Sequence, residues 1–184
     1  MMKVGNIQSS GAFGGWYLVD ALADKLPQEV ASGLSVAFSE REEELEPVWY
    51  IGYQLVNGLN HAFICRRIRK SENREVRDFV TVVINIPMGV NGYKDAKLVK
   101  MEVSGESILN EETQEIFDTA MKNMVGAEHK VLAEIGTQVV KGINYHFICQ
   151  SQGVYPGSQP YLTRVIINQF GEYVSIVGIE PIAD

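Results

Sequence analysis

Residues 54–65 read QLVNGLNHAFIC, and residues 138–149 read QVVKGINYHFIC. Gln, Val, Gly, Asn, Phe, Ile and Cys recur in register between them. The offset is 138 − 54 = 84 residues. That is too long for a solenoid repeat, whose units run about 20–50 residues, and it matches a small independent domain. A chain of 184 residues then reads as one unit copied once, with the first copy at 1–105 and the second at 106–184.

The flanking segments repeat as well. Upstream of the first window, Leu22, Leu26, Val30, Leu34 and Phe38 recur every four residues, the spacing of one ridge on a helix. Pro27 is expected to kink that helix or mark its first turn. Upstream of the second window, Ile116, Phe117, Ala120, Met121, Met124 and Val125 form an apolar helical stripe. Glu111, Glu112 and Glu115 suit the positive end of its dipole. Downstream, VRDFVTVVINI (76–86) and YLTRVIIN (161–168) are rich in β-branched residues. The turns PMGVNG (87–92) and QFGE (169–172) follow, then the strands KLVKMEV and YVSIVGIEPI. Each copy is expected to place one helix before four strands, an α+β unit in which an antiparallel meander wraps on one helix. The polar stretch 103–113, VSGESILNEET, is the expected join.

Gly58 and Gly142 sit between two strand-like runs, where a residue without Cβ closes a tight hairpin and admits another backbone closely. The bland reading gives each glycine only the turn.

Composition bounds the partners. Hydrophobic residues make up 46% and charged residues 21%, enough to bury a core. A net charge of −7 argues against a nucleic-acid partner. The one basic cluster, Arg66, Arg67, Arg69 and Lys70, lies near Glu72 and Glu75 and reads as a solvated strand end. No segment has the apolar length of a membrane span, and the N-terminal MMKVGNIQSSGAFGG has no apolar signal core. The two cysteines, Cys65 and Cys149, occupy matching positions, which suits small apolar strand residues rather than a bridge. A cytoplasmic setting is the expectation, or a secreted one if a signal peptide was removed.

Enzyme chemistry finds little support. His61 and Cys65 are four apart and share a strand face, whereas His146 and Cys149 are three apart and do not. The copies therefore do not repeat a metal or Cys–His site. EREEELE (40–46) lacks calcium-loop spacing and reads as a solvated helix end, and His129 as a surface residue. No phosphate loop, nucleophile elbow or His-Glu-x-x-His occurs. No catalytic residue, metal, cofactor or small-molecule ligand is expected.

Gln54-Leu55-Val56-Asn57-Gly58 and Gln138-Val139-Val140-Lys141-Gly142 both match the Gln-x-Val-x-Gly pattern of the cystatins. GGWYL (14–18) resembles the Gly-bearing trunk of the stefin branch, ALADKLPQ resembles its helix, and Ile86-Pro87-Met88 its second hairpin. The resemblance implies two cystatin-like domains and an inhibitor of papain-like cysteine peptidases. Its trunk, first hairpin and second hairpin would form an apolar wedge that fills the cleft without chemistry. Carried over by position, the peptidase-binding residues are Gly14, Gly15, Gln54, Leu55, Val56, Asn57, Gly58, Pro87 and Met88. A secondary set in copy two is Gln138, Val139, Val140, Lys141, Gly142 and Phe170. Copy two has no free trunk and only Phe170 as a bulky residue in its second turn. The layout is also similar to latexin, which blocks a metallocarboxypeptidase, so the class of peptidase stays open. The alternative is a non-inhibitory binding or structural module whose hairpin glycine serves turn geometry alone.

Overall fold

A computed structural model describes residues 16–72, 74–102 and 111–182. The described residues divide into two compact units, 16–102 and 111–182. The first unit runs β1 (Trp16–Leu22), α1 (Gln28–Phe38), β2 (Glu44–Val56), β3 (Gly58–Ser71), β4 (Arg74–Ile86), a 3-10 turn (Gly92–Asp95) and β5 (Lys97–Glu102). Its strands pair antiparallel in the order β1-β2-β3-β4-β5. The second unit runs α2 (Glu111–Met121), β6 (Ala127–Val140), β7 (Gly142–Gly153), β8 (Tyr161–Phe170) and β9 (Tyr173–Pro181), again antiparallel and in sequence order.

In the first unit, Val30 and Leu34 of α1 cluster with Phe63 and Cys65 of β3 and with Val80, Val82 and Ile84 of β4. Alternate residues of each strand supply this core, as the pleat requires. In the second unit, Ile116 and Phe117 of α2 cluster with Phe147 and Cys149 of β7 and with Val165 and Ile167 of β8. Phe117 meets Phe147 edge-on, with ring centroids 5.2 Å apart and planes at 72°. Both first hairpins carry the same two bulges. β2 shifts register between Pro47 and Trp49 and between Tyr50 and Gly52; β6 shifts between Val131 and Ala133 and between Glu134 and Gly136. Each shift in β6 lies 84 residues after its counterpart (131 − 47 and 136 − 52). Bulges bend and twist a strand, so the two long hairpins curve at equivalent points.

The α+β expectation of two cystatin-like domains is corrected. The structure is mostly antiparallel sheet, 60% strand and 16% helix, with two short helices against two sheets. Two segments read as helical are strand or turn. Leu22 ends β1, and the Ala23 N–H donates to the Val48 carbonyl at 2.9 Å, which pins this stretch to the sheet. Pro27 sits at the N-cap with φ −53° and ψ 141°, so the helix begins only at Gln28. At the other end α1 stops at Phe38, and Glu44–Glu46, expected on a solvated helix end, open β2. In the second unit α2 stops at Met121, and Val125 of the expected stripe is exposed.

The basic run is not a solvated strand end either. Arg67 is buried and its guanidinium donates to both oxygens of Asp78, at 2.9 and 2.6 Å, while Arg69 adds 3.1 Å to the same carboxylate. Arg66 reaches Glu46 on β2 at 2.9 Å. The acids that matter lie on neighbouring strands rather than next in sequence. His129 lies on β6 and bonds the Ser151 hydroxyl across the hairpin at 2.6 Å, so it is not a simple surface residue. Of the expected join, residues 103–110 lie outside the described residues.

His61 couples this fold to pH. It is buried on β3 and its Nδ1 lies 2.7 Å from the Tyr50 hydroxyl. Burial lowers its pKa from 6.5 to about 4. A depressed folded-state pKa means that the unfolded chain binds the extra proton first as pH falls. Stability is therefore full above pH 6.5 and declines towards pH 4. At about 1.4 kcal/mol per pH unit, the loss reaches about 3 kcal/mol. We expect His61→Gln, which keeps a polar partner for Tyr50 but does not titrate, to flatten this part of the profile. Denaturant melts of both proteins from pH 7 to pH 4 measure it; parallel profiles would assign the acid sensitivity to other groups.

Candidate functional site

The first hairpin closes very tightly. The β2–β3 register runs to Val56 opposite Gly58, which leaves Asn57 alone at the apex. Gly58 has φ +102°, a conformation L side chains rarely adopt. A Cβ on Gly58 would stand 2.5 Å from the Ile86 carbonyl oxygen and 3.0 Å from the Pro87 Cα. The missing side chain thus lets the end of β4 and the following loop lie against the apex.

This close approach assembles an apolar rim from two sequence-distant turns. Leu55 is 64% exposed and Val56 43% exposed, although one of two adjacent strand residues is expected to face the sheet. Across the glycine, Met88 is 70% and Val90 96% exposed, while Pro87 is half-buried. Gln54 is half-buried and Asn57 exposed. β1 joins the rim because Trp16 pairs with Gln54 and Tyr17 with Tyr53, their tyrosine rings stacked 5.2 Å apart. Gly14 and Gly15 lie outside the described residues. No Asp, Glu, Lys or Arg falls between Pro47 and Cys65 or between Phe79 and Tyr93. The rim therefore carries no ionised side chain from these two stretches, on a chain of net charge −7.

The second unit builds the same geometry with different side chains. Val140 pairs with Gly142, Lys141 takes the apex, and Gly142 has φ +94°. A Cβ there would lie 2.2 Å from the Gln169 carbonyl oxygen and 3.2 Å from the Phe170 Cα. Val139 is 79% and Phe170 51% exposed; Val140 is also exposed, and Gln138 is half-buried. The Lys141 ammonium sits 5.3 Å from the centroid of the Phe170 ring, a cation–π distance. This rim therefore carries a positive charge where the first has Asn57.

Sequence reading missed several members of these rims. Tyr17, Val90 and Tyr173 are exposed apolar residues within or beside them. Asn85 and Asn168 are the larger omission. Asn85 Nδ2 donates to Asn60 Oδ1 at 2.9 Å and to the Asn57 carbonyl at 3.4 Å. Asn168 Nδ2 donates to Asn144 Oδ1 at 2.8 Å and to the Lys141 carbonyl at 3.4 Å. The signal was present in the sequence: both strands carry an Asn near their ends that opposes an Asn of the repeated window.

Elsewhere among the described residues, polar groups meet in the interior of the second unit. Ser151 bonds both His129 and Thr163, each at 2.6 Å, but it is fully buried, so the trio braces β6, β7 and β8. Cys65 and Cys149 are free, fully buried thiols whose pKa values burial pushes upward, away from the nucleophilic thiolate. Among the described residues, no group of three or more His, Cys, Asp or Glu is placed to hold a metal ion. No helix among them is long and apolar enough to cross a membrane. In comparisons with known proteins, no family model matches the chain and no curated protein matches it.

The geometry separates two glycines by experiment. Gly58→Ala meets both an unfavourable φ and the Ile86 carbonyl, whereas Gly89, at φ +122°, has nothing within 4 Å of a built Cβ. We expect Gly89→Ala to cost about 1–2 kcal/mol, the left-handed backbone penalty alone. Gly58→Ala should cost about 2–4 kcal/mol because steric displacement adds to that penalty. Urea denaturation of the two variants provides the comparison.

Proposed function

We propose that the chain is a proteinaceous peptidase inhibitor whose first-unit rim enters the cleft of a papain-like cysteine peptidase and blocks it without chemistry. One observation carries this reading: the close approach at Gly58 sets the exposed Leu55 and Val56 beside the loop that exposes Met88 and Val90. Exposed apolar side chains gathered from two turns are what a docking edge requires. Burying a Leu, Val or Met side chain contributes about 1.5–3 kcal/mol each. Docking costs restrain that gain, and a short, hydrogen-bonded hairpin loses little conformational freedom on binding. The match of residues 54–58 to Gln-x-Val-x-Gly supports the choice of target class. Leu55, Val56, Asn57, Gly58, Pro87 and Met88 are the proposed contacts, with Gln54 bracing the hairpin.

The rival reading, a non-inhibitory binding or structural module, draws on the same glycine. Gly58 is needed for the hairpin whether or not anything docks there. Substitutions at the exposed side chains discriminate, because they leave the turn intact.

Titration of papain with the purified protein tests the proposal. We expect reversible inhibition that Leu55→Asp weakens at least tenfold and Met88→Asp weakens similarly, with thermal melts unchanged. Absence of inhibition at micromolar protein, or inhibition indifferent to both substitutions, would overturn the wedge and leave the binding module.

A further inference from the structure

β4 and β8 are rich in β-branched residues, yet each places an Asn near its end, Asn85 and Asn168. Asparagine is disfavoured in strands, and a Val or Thr would suit the pleat better. Both asparagines are half-buried and each lies directly opposite another, Asn60 or Asn144. In each unit the amide nitrogen makes the same two bonds, to the opposite asparagine and to the carbonyl of the apex residue. A carbonyl only accepts, so the group facing it must be the Nδ2 donor. The first unit extends the chain one strand further, with Asn60 Nδ2 reaching Gln54 Oε1 at 3.5 Å. The apices themselves differ, Asn57 in one and Lys141 in the other, and so do the facing residues Pro87 and Phe170. The brace is the same where the presented surface is not.

We propose that Asn85 and Asn168 are positioning residues that hold the apex peptides of the two hairpins rigid before any partner docks. Each ties the carbonyl that precedes the positive-φ glycine to the neighbouring strand. What the rigid first apex is for rests on the wedge reading above; the bracing itself does not.

The test uses the full chain and the near-isosteric Asn85→Asp. At pH 7.5 the aspartate accepts but does not donate, so it loses the bond to the Asn57 carbonyl and repels that oxygen. We expect amide hydrogen exchange over residues 56–60 to quicken at least tenfold relative to the unmodified protein, and papain inhibition to weaken about tenfold. As pH falls towards 4, the protonated carboxyl donates again, and both ratios should return towards one. Asn85→Leu should stay loosened at every pH. Unchanged exchange in Asn85→Asp, or loosening that ignores pH, would overturn the proposal. Loosened, pH-recoverable exchange in a protein that never inhibits papain would sink the wedge reading and leave the brace standing. If Asn85→Asp exchanges rapidly throughout its unit, Asn168→Asp, followed over residues 140–144, decides by the same criteria.

Discussion

The absence of a Cβ at two hairpin apices governs what these units can present. At Gly58 and Gly142 a neighbouring backbone carbonyl occupies the space where a side chain would begin, 2.5 and 2.2 Å from the ideal Cβ position. Such separations are below any real carbon–oxygen contact, so an L residue would force the last turn of β4 or β8 away from the hairpin. Within each unit, the hairpin turn and the turn after β4 or β8 meet in one rim because no side chain begins at this glycine. The positive φ of each glycine reinforces the constraint, since it directs the chain back along the next strand immediately after a single apex residue. Register below the apex is then fixed by the continuous pairing of β3 with β4 and of β7 with β8.

Much of this was legible in the sequence because it depends on local pattern. The repeated window fixed the hairpin glycines, and β-branched runs located β4 and β8 to within a few residues. The failures share a physical cause. Leu22 fits a four-residue ridge with Leu26, Val30, Leu34 and Phe38, but periodicity does not register the pairing of β1 with β2 that claims Leu22 first. Glu44 and Glu46 look like helix-end residues, yet cross-strand partners Lys70 and Arg66 make them acceptable on a strand. Together these errors overweighted helix, and the class comes out sheet-dominated rather than α+β. Arg67 was misplaced for a similar reason: its partner Asp78 lies eleven residues away in sequence but directly opposite on β4. Buried ion pairs of this kind become visible only once register is known. The Asn85–Asn60 bridge had a written signal, but its meaning also required the register of β3 against β4.

The two rims share a skeleton and differ in chemistry. Gly, the window asparagine (Asn60, Asn144) and the bulges recur 84 residues apart, and the opposing asparagines Asn85 and Asn168 recur 83 apart, while the apex changes from Asn57 to Lys141 and the facing residue from Pro87 to Phe170. In the second unit the ammonium rests over an aromatic ring, which spreads its charge against a polarisable face rather than leaving it loose in water. A cleft able to receive the first rim need offer only apolar walls. The second also brings a cation, which an apolar wall would have to desolvate. The unit that matches the proposed peptidase wedge more simply is therefore the first.

Charge distribution also bears on how a partner would arrive. The first rim lies in two stretches without an ionised side chain, and the ion pairs Arg66–Glu46, Arg67–Asp78 and Lys70–Glu44 involve the ends of β2, β3 and β4 away from the apex. Without opposed charges at the rim itself, a docking partner would gain little local steering there, and its association would fall in the range of about 10⁵–10⁶ M⁻¹ s⁻¹. Affinity then has to come from slow release, set by how much apolar surface is buried and how little order is lost in burying it. Both requirements point back to the apex. The missing Cβ brings the apolar side chains together, and the asparagine bridge keeps them there in the free protein. Rigidity and composition at one turn thus contribute to the same quantity, the lifetime of whatever complex the rim makes.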